Sequence, residues 1–256
     1  MNTSISDNST YNEICEMAAK NDATFSKFKS IPRYTDILEH VTQEEGLAYY
    51  NMFRHDTDII DKLSQFTIND RIGNPQTYNY HFGRYSPTTL RYIKILKDLK
   101  DTYLTLDDTN IIEIGVGYGG QYVTLRQLFR PKLYTFVDLP NTIELTKKYI
   151  KTLSISTEVP TLDLTYQTQY LDCTANNDYK EYDLVISNYS FSECIREIQD
   201  NYINILVNSK HGYLLYNNLR GYSAKELVDV LSKRGKAIEI HNEEPRTSPN
   251  NVLLKW

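Results

Sequence analysis

The sequence of 256 residues contains few cysteines and no long apolar run. Its three cysteines, Cys15, Cys173 and Cys194, are odd in number and form no Cys-x-x-Cys pair. This disfavours a disulfide framework and a zinc site and suits a reducing compartment. No stretch of about 18 apolar residues occurs, and residues 1–10 are polar, so neither a membrane span nor a secretory signal is predicted. We expect a cytoplasmic protein.

The sequence also lacks an excess of basic residues. Lys and Arg number 28 against 33 Asp and Glu, which gives a net charge of -5 at pH 7. Such a chain has no basic footprint for tracking a phosphate backbone, so nucleic acid is not an expected partner. The acids and histidines show no clear metal-ligand spacing, so no metal site is predicted. A small substrate fits this composition better, and a homodimer is left open.

The pattern of the chain changes near residues 107–109. Residues 1–105 are predicted to form a helical region, with helices at 11–20 and 43–54 and a third helix opened by Ser86 and a proline. Residues 106–256 alternate between strands and helices, which predicts an α/β domain with a mostly parallel sheet. Strands are predicted at residues 111–114, 133–137, 166–170, 184–187, 213–216, 237–240 and 252–255, and helices at 121–129, 142–152, 192–207 and 224–233. A short loop without a helix joins the last two strands, which should therefore be antiparallel neighbours.

The most informative segment is the strand and glycine-rich turn at residues 111–121, IIEIGVGYGGQ. Glycines serve where a chain turns sharply or where backbone must approach a ligand. The helix that follows presents free N–H groups, and the end of such a strand is where open α/β sheets bind ligands. The spacing of Gly115, Gly117 and Gly120 also fits the G-x-G-x-x-G pattern of dinucleotide-binding enzymes. A nicotinamide enzyme and a purely structural turn therefore stay open as alternatives.

Acidic residues around this turn favour one cofactor. Asp138 closes the next strand and would hold ribose hydroxyls under either reading. Glu113 precedes the first glycine by two, where methyltransferases often carry an acid near the methionine part of their cofactor. Gly119 and Gly120 double the glycines where nicotinamide enzymes usually keep a larger residue. The sequence thus predicts a methyltransferase that uses S-adenosyl-L-methionine.

Polar residues follow two later strands. Asp172 is placed to bind the adenine amino group, or else to cap its own loop. Asn188 and Tyr189 follow the strand at which methyl transfer takes place in this fold, although either could be a turn residue. Glu193 is a candidate for catalysis, and the alternative is a capping box with Ser190.

Taken together, these segments resemble the sugar O-methyltransferase family, a class I S-adenosylmethionine-dependent group. The likeness runs from about residue 70 to residue 256. It rests on residues 86–93 (SPTTLRYI), 112–121 (IEIGVGYGGQ), 138–140 (DLP), 182–193 (YDLVISNYSFSE) and 243–247 (EEPRT). Val116 stands where such turns often show glycine, and residues 1–60 match no recognised motif.

The resemblance implies a Rossmann-like fold. Its seven-stranded, mostly parallel sheet would have an antiparallel last strand and would follow an N-terminal helical region. It also implies methylation of a sugar hydroxyl, on a nucleotide-sugar or a glycan, in polysaccharide or glycoconjugate synthesis. A nicotinamide-dependent sugar oxidoreductase is the rival, although no Tyr-x-x-x-Lys pair lies near a strand end. A non-catalytic cofactor-binding scaffold is a further alternative.

Methyl transfer to a sugar hydroxyl requires alignment of the acceptor oxygen and a base that takes its proton. His81 precedes the helix opened by Ser86 and could fold over the site, with a surface or packing role as its alternative. Glu193 is the second candidate base, and His241 is a weaker one that could simply end a strand. The predicted cofactor-binding residues lie in the glycine turn, at strand ends or on the helical side: Tyr85, Ser86, Glu113, Gly115, Gly117, Gly119, Gln121, Asp138, Leu139, Asp172, Asn188 and Tyr189.

Overall fold

The computed structural model describes residues 9–156, 163–165, 167–175 and 180–256. The helices are α1 (Ser9–Lys20), α2 (Asp22–Phe25), α3 (Pro32–Thr35), α4 (Gln43–Phe53), α5 (Thr57–Ile60), α6 (Pro87–Tyr103), α7 (Gly120–Leu125), α8 (Pro140–Ser156), α9 (Ser190–Glu193), α10 (Arg196–Asn208) and α11 (Ala224–Ser232). The strands are β1 (Tyr78–Tyr80), β2 (Gly83–Tyr85), β3 (Asn110–Ile114), β4 (Leu133–Asp138), β5 (Thr168–Asp172), β6 (Tyr182–Asn188), β7 (Ser209–Tyr216), β8 (Glu239–Asn242) and β9 (Val252–Lys255). Two 3-10 helices cover Phe28–Ser30 and Leu63–Asp70.

The main sheet has seven strands in the order β5-β4-β3-β6-β7-β9-β8. Strands β5, β4, β3, β6 and β7 pair in parallel, and β9 runs antiparallel to both of its neighbours, β7 and β8. The predicted antiparallel pairing of the last two strands is therefore confirmed. The predicted Rossmann-like fold is confirmed as well: a seven-stranded, mostly parallel sheet with an antiparallel last strand.

Local structure departs from the sequence analysis at several points. The predicted helix at 192–207 is two helices, because Cys194 adopts an extended backbone between α9 and α10. The predicted strand at 237–240 lies two residues later, as β8. The hairpin of β1 and β2 was not predicted, since its strands are only three residues long. Residue 166, where the third strand was predicted to begin, lies outside the described residues.

The two faces of the sheet bury separate apolar clusters. Strand β3 shows the alternation that a strand imposes: Ile111 packs on one face, and Ile112 and Ile114 pack on the other. The first face is covered by helices from the N-terminal part of the chain, and Phe28 and Phe53 belong to the same cluster as Ile111. One continuous cluster thus crosses the predicted boundary between residues 105 and 106, and the two-domain division stays a prediction. Within the described residues, no helix is both long and apolar enough to cross a membrane.

Candidate functional site

A cavity of about 1030 Å³ lies at the carboxyl ends of β3, β4 and β6. Its first wall, called here the sheet-edge wall, consists of strand ends and the turns that follow them. These residues are Ile114, Gly115, Gly117, Asp138, Leu139, Asn188 and Tyr189. The opposite wall, called here the cap wall, comes from the segment before and within α4 and from α6. It consists of Ile37, Leu38, His40, Val41, Tyr49 and Arg91.

The glycine turn after β3 has no room for side chains at Gly115 and Gly117. Gly115 and Gly117 have φ angles of 77° and 55°, in the left-handed region that favours glycine. A Cβ atom on Gly115 would lie 2.0 Å from Cβ and Oγ of Ser190. A Cβ atom on Gly117 would lie 2.8 Å from Cδ1 of Leu38. Both positions therefore require glycine for their conformation and for their close neighbours.

Asp138 at the end of β4 is tied to this turn. Its Oδ2 accepts a hydrogen bond from the Gly117 amide at 3.0 Å, and its Oδ1 accepts one from the Leu139 amide at 2.7 Å. Burial raises the pKa of the Asp138 carboxyl to about 6, and the hydrogen bonds from backbone amides oppose that rise. The carboxyl still lines the cavity, where it can accept hydrogen bonds from a ligand.

The end of β6 carries two unusual residues. Asn188 lines the cavity, and its Oδ1 is buried without a hydrogen-bond partner. Tyr189 follows with a φ angle of 70°, a conformation that is costly for a large side chain and is found at functional sites. Its backbone amide donates to the Leu215 carbonyl at 3.0 Å, which holds the residue in place.

The hydroxyl of Tyr189 donates to Glu243, a residue that was not among the predicted site residues. Glu243 is buried, and its Oε2 also accepts hydrogen bonds from the Thr247 amide at 3.0 Å and from Nδ2 of Asn251 at 3.1 Å. Thr247 and Asn251 both line the cavity. The segment EEPRT was noticed in the sequence, but nothing in its spacing showed that it folds back onto the end of β6.

Glu193, a predicted candidate base, lines the cavity. Its Oε1 accepts a hydrogen bond from Nδ2 of Asn217 at 2.9 Å. Helix α9 begins after Tyr189, which makes no side-chain cap. The alternative of a capping box between Ser190 and Glu193 is therefore wrong.

The structure brings some of the predicted residues to the cavity and leaves others away from it. Those that line it are Gly115, Gly117, Asp138, Leu139, Asn188, Tyr189 and Glu193. Those that do not are His81, Tyr85, Ser86, Glu113, Gly119, Gln121 and Asp172. His241 is exposed on β8 and is also absent from the lining.

Three of the predicted residues that do not line the cavity lie on the β1–β2 hairpin or at the start of α6. His81 is exposed at the turn between β1 and β2, with its ring 5.5 Å from that of Tyr50. Tyr85 is buried at the end of β2. Ser86 caps α6, and its hydroxyl donates to Oδ1 of Asp70 at 2.6 Å, so this side chain is occupied by structure.

Glu113 and Gln121 are both buried away from the cavity lining. The hydroxyl of Tyr134 donates to Oε2 of Glu113 at 2.7 Å, and burial raises the pKa of Glu113 to about 8. Gln121 donates to the Tyr92 carbonyl at 3.3 Å, and its Oε1 is buried without a partner. Gly119 serves as the left-handed N-cap of α7.

Asp172 caps its own loop, which was the alternative stated for it. Its Oδ1 accepts hydrogen bonds from the amide and the hydroxyl of Thr174, at 2.8 and 2.7 Å. Thr174 and Cys173 line the cavity in its place. Within the described ranges, no group of three or more His, Cys, Asp or Glu side chains is arranged to hold a metal ion.

Residues of the cap wall were missed by sequence reasoning altogether. The segment from Ile37 to Tyr49 shows only the start of a predicted helix. Arg91 belongs to the segment SPTTLRYI, on which the resemblance rests, but it was not among the predicted site residues. Their place at the cavity results from the packing of α4 on α6. Arg91 stands out in the structure because it is a buried charged residue, but the periodicity of the sequence does not reveal this burial.

No protein-family model and no curated protein sequence matches the chain. Solved structures do match. Magnesium protoporphyrin IX methyltransferase from Synechocystis PCC 6803, solved with bound S-adenosylmethionine, is 12% identical, and the match covers 84% of this chain and 97% of that one with a TM-score of 0.48. Precorrin-6y C5,15-methyltransferase from Geobacter metallireducens GS-15 is 15% identical, with coverage of 63% and 86% and a TM-score of 0.43.

A methyltransferase from Aquifex aeolicus is 12% identical, with coverage of 62% and 86% and a TM-score of 0.45. At such identities a likeness concerns the fold alone. The chemistry of this cavity therefore has to be inferred from its own residues.

Proposed function

We propose that this protein is an S-adenosylmethionine-dependent methyltransferase that methylates a sugar hydroxyl. The acceptor would be a nucleotide-sugar or a glycan in polysaccharide or glycoconjugate synthesis. One observation carries the proposal: the glycine turn after β3, Asp138 at the end of β4 and Asn188 at the end of β6 meet around one cavity. This edge of a parallel sheet is where α/β folds bind their ligands.

The residues of the sheet-edge wall fit this cofactor. Gly115 and Gly117 line the cavity, and a Cβ atom at either position would clash with Ser190 or Leu38. The Asp138 carboxyl suits ribose hydroxyls, which need an acceptor. The buried Oδ1 of Asn188 has no donor of its own and suits an ammonium group. The volume of about 1030 Å³ leaves room for an acceptor beside the cofactor.

The residues near the end of β6 would handle the acceptor. When bound, S-adenosylmethionine supplies a methyl group on a sulfonium, already activated for transfer. Glu193 is the candidate proton acceptor, since its carboxylate lines the cavity and Asn217 fixes its position. A base in this role adds roughly 10²–10⁴-fold to the rate. Tyr189, held by Glu243, would orient the acceptor hydroxyl.

Support for a sugar comes from the resemblance in sequence and from the polar lining on this side. Asn217, Thr247 and Asn251 line the cavity, and each carries an amide or a hydroxyl group. Such groups both donate and accept hydrogen bonds, as the recognition of sugar hydroxyls requires.

Calorimetric titration tests the cofactor. We expect S-adenosylhomocysteine to bind and NAD to give no heat above dilution. Binding of NAD without binding of S-adenosylhomocysteine would replace this proposal with a nicotinamide-dependent sugar oxidoreductase.

Mass spectrometry tests the acceptor. The protein is incubated with S-adenosylmethionine and a set of nucleotide-sugars, and a gain of one methyl group is expected on at least one. We expect Glu193→Gln to lose this product while it keeps its affinity for S-adenosylhomocysteine. Glu226→Gln, at an exposed position on α11, is the matched control and should retain activity. Cofactor binding without a methylated sugar would contradict the sugar assignment and favour another acceptor or a scaffold role.

A further inference from the structure

The cap wall contributes a buried cation to a cavity that is otherwise acidic or neutral. Arg91 of α6 is the only Lys or Arg among the described residues that line the cavity. Its side chain is almost buried, with 8% of the residue exposed. The acids in the same lining are Glu45, Asp138, Glu193 and Asp200.

Arg91 has few partners for a buried guanidinium. Its Nη2 donates to the Leu38 carbonyl at 3.3 Å, and its Cζ lies 5.8 Å from the ring centroid of Tyr92. Within the described part of the chain, no ion pair joins it to an acid. A guanidinium carries five N–H donors, and a buried charge is costly unless it is paired and hydrogen-bonded. The donors that Leu38 leaves over are therefore available to a ligand.

Glu39 and His40, two ionisable neighbours of Arg91 on the cap segment, do not occupy its remaining N–H donors. The charge of Glu39 acts on Arg91, but no ion pair joins the two side chains among the described residues, and Oε1 of the buried Glu39 has no hydrogen-bond partner. Desolvation and then the Arg91 charge lower the pKa of His40, so His40 adds little positive charge at neutral pH. Arg91 is thus the fixed positive charge of this wall.

Leu38 places Arg91 close to the glycine turn. The Leu38 carbonyl accepts the hydrogen bond from Arg91, and Cδ1 of the same residue lies 2.8 Å from the position of a Cβ atom on Gly117. Arg91 and the glycine turn both lie against Leu38 and line the same cavity, so one bound ligand can reach both.

We infer that Arg91 is an anion-binding subsite that takes a carboxylate or a phosphate of the bound ligand. The inference rests on the proposed function, which offers two sources of that chemistry: the carboxylate of the cofactor's methionine part and a phosphate of a nucleotide-sugar acceptor. The planar guanidinium matches either group with two parallel hydrogen bonds.

Two probes separate the sources. Binding of S-adenosylhomocysteine is measured by calorimetry for the full chain and for Arg91→Met, and binding of inorganic pyrophosphate is then measured with S-adenosylhomocysteine saturating. Loss of hydrogen bonds to a charged group should weaken one of the two probes by about 10–100-fold. Arg91→Lys keeps the charge without the planar fork and should lose less. Arg84→Met is the matched control, because Arg84 also makes one hydrogen bond, to Oγ1 of Thr77, but is exposed on β2.

Each outcome of these binding measurements supports or overturns the inference. Weaker S-adenosylhomocysteine binding assigns Arg91 to the cofactor carboxylate, and weaker pyrophosphate binding alone assigns it to the acceptor. Unchanged affinity for both probes in Arg91→Met and Arg91→Lys, with melting temperatures that show folded protein, overturns the inference and leaves the proposed function intact. If Arg91→Met does not fold, Arg91→Lys alone decides. Wild-type protein that fails to bind S-adenosylhomocysteine overturns the proposed function, whereas Arg91-dependent pyrophosphate binding would still support the subsite.

Discussion

The two walls of the cavity are built in different ways. The sheet-edge wall consists of a glycine turn and strand ends, and its main carboxylate, Asp138, is held by backbone amides. The cap wall consists of side chains such as Leu38, Tyr49 and Arg91, brought together by the packing of α4 on α6. One wall is shaped by backbone conformation, and the other is shaped by side-chain packing.

This difference predicts where the protein tolerates change. A substitution in the glycine turn has to move backbone that belongs to the main sheet. A substitution in the cap wall changes side-chain packing and the surface presented to the ligand, but it leaves the backbone of the sheet in place. We therefore expect cofactor binding to depend on the sheet-edge wall and the choice of ligand groups to depend on the cap wall.

The largest effect is expected for Gly115→Val. A left-handed backbone costs a side-chain-bearing residue about 1–2 kcal/mol, and overpacking against Ser190 typically adds about 1–3 kcal/mol. Urea unfolding should show this loss, and binding of S-adenosylhomocysteine should disappear. Gly235→Val is the control, because Gly235 has a φ angle of 91° but nothing within 4 Å of an added Cβ atom. Equal losses in the two variants would show that Ser190 does not constrain the turn.

A pH-dependent loss of stability is expected from Glu113. Burial raises the pKa of Glu113 to about 8 in the folded protein, from a usual value of 4.5. The contribution of its protonated form to stability is complete below about pH 4.5 and is lost as the pH rises through about 8. At ~1.4 kcal/mol per pH unit, this loss is on the order of a few kcal/mol.

Glu113→Gln should flatten this dependence. The free energy of unfolding is measured between about pH 5 and pH 9, and the wild type should lose more of it than the variant. Affinity for S-adenosylhomocysteine should stay unchanged near pH 7, since the Glu113 carboxyl accepts from Tyr134 and does not line the cavity. A variant with weakened binding would place Glu113 beside the cofactor after all.

A smaller effect is expected for Asp138→Asn. Burial raises the pKa of Asp138 to about 6, so the carboxylate that would accept hydrogen bonds from ribose under the proposed function is lost as the pH falls through that value. The affinity of the wild type for S-adenosylhomocysteine should therefore fall below about pH 6. Asp138→Asn should bind roughly 10-fold more weakly at pH 7.5, with little further change on acidification. Asp229→Asn, on the exposed side of α11, should behave as the wild type, and a pH response kept by Asp138→Asn would assign it to another group.

The smallest effect is expected for His81→Ala. The sequence pattern makes His81 a candidate base, but the side chain is exposed on the hairpin and packs against Tyr50. Methyl transfer, cofactor affinity and melting temperature should all match the wild type. A loss of turnover with unchanged cofactor affinity would return His81 to the site and would show that the hairpin reaches the acceptor.

The main sheet and the sheet-edge wall could be predicted from local sequence. The apolar run before Gly115 and the acid at the end of the next strand identify a strand, a turn and a ligand-binding edge, because each depends on residues adjacent in the chain. The antiparallel last pair followed from the absence of a helix between β8 and β9. The break at Cys194 was missed, since apolar periodicity continues across it from α9 to α10.

Three site residues show why the rest could not be predicted. Glu243 lies 54 residues after its partner Tyr189, and this contact exists only because β8 and β9 fold back beside β7. Arg91 meets Leu38 across 53 residues. Asp172 stands at a strand end like Asp138, yet it turns to its own loop. The end of a strand determines the position of a residue in the sheet, whereas long-range packing determines which groups its side chain contacts.

The sequence alone therefore determined the order of strands and helices, the need for glycine at the turn and the presence of acids at the strand ends, because these depend on backbone periodicity and on near neighbours. Only the tertiary structure decided which of those acids reach the cavity. It also decided that Arg91 and the cap segment close the cavity opposite the turn. Contacts over such distances depend on how the helices pack on the sheet, and no local pattern encodes that packing.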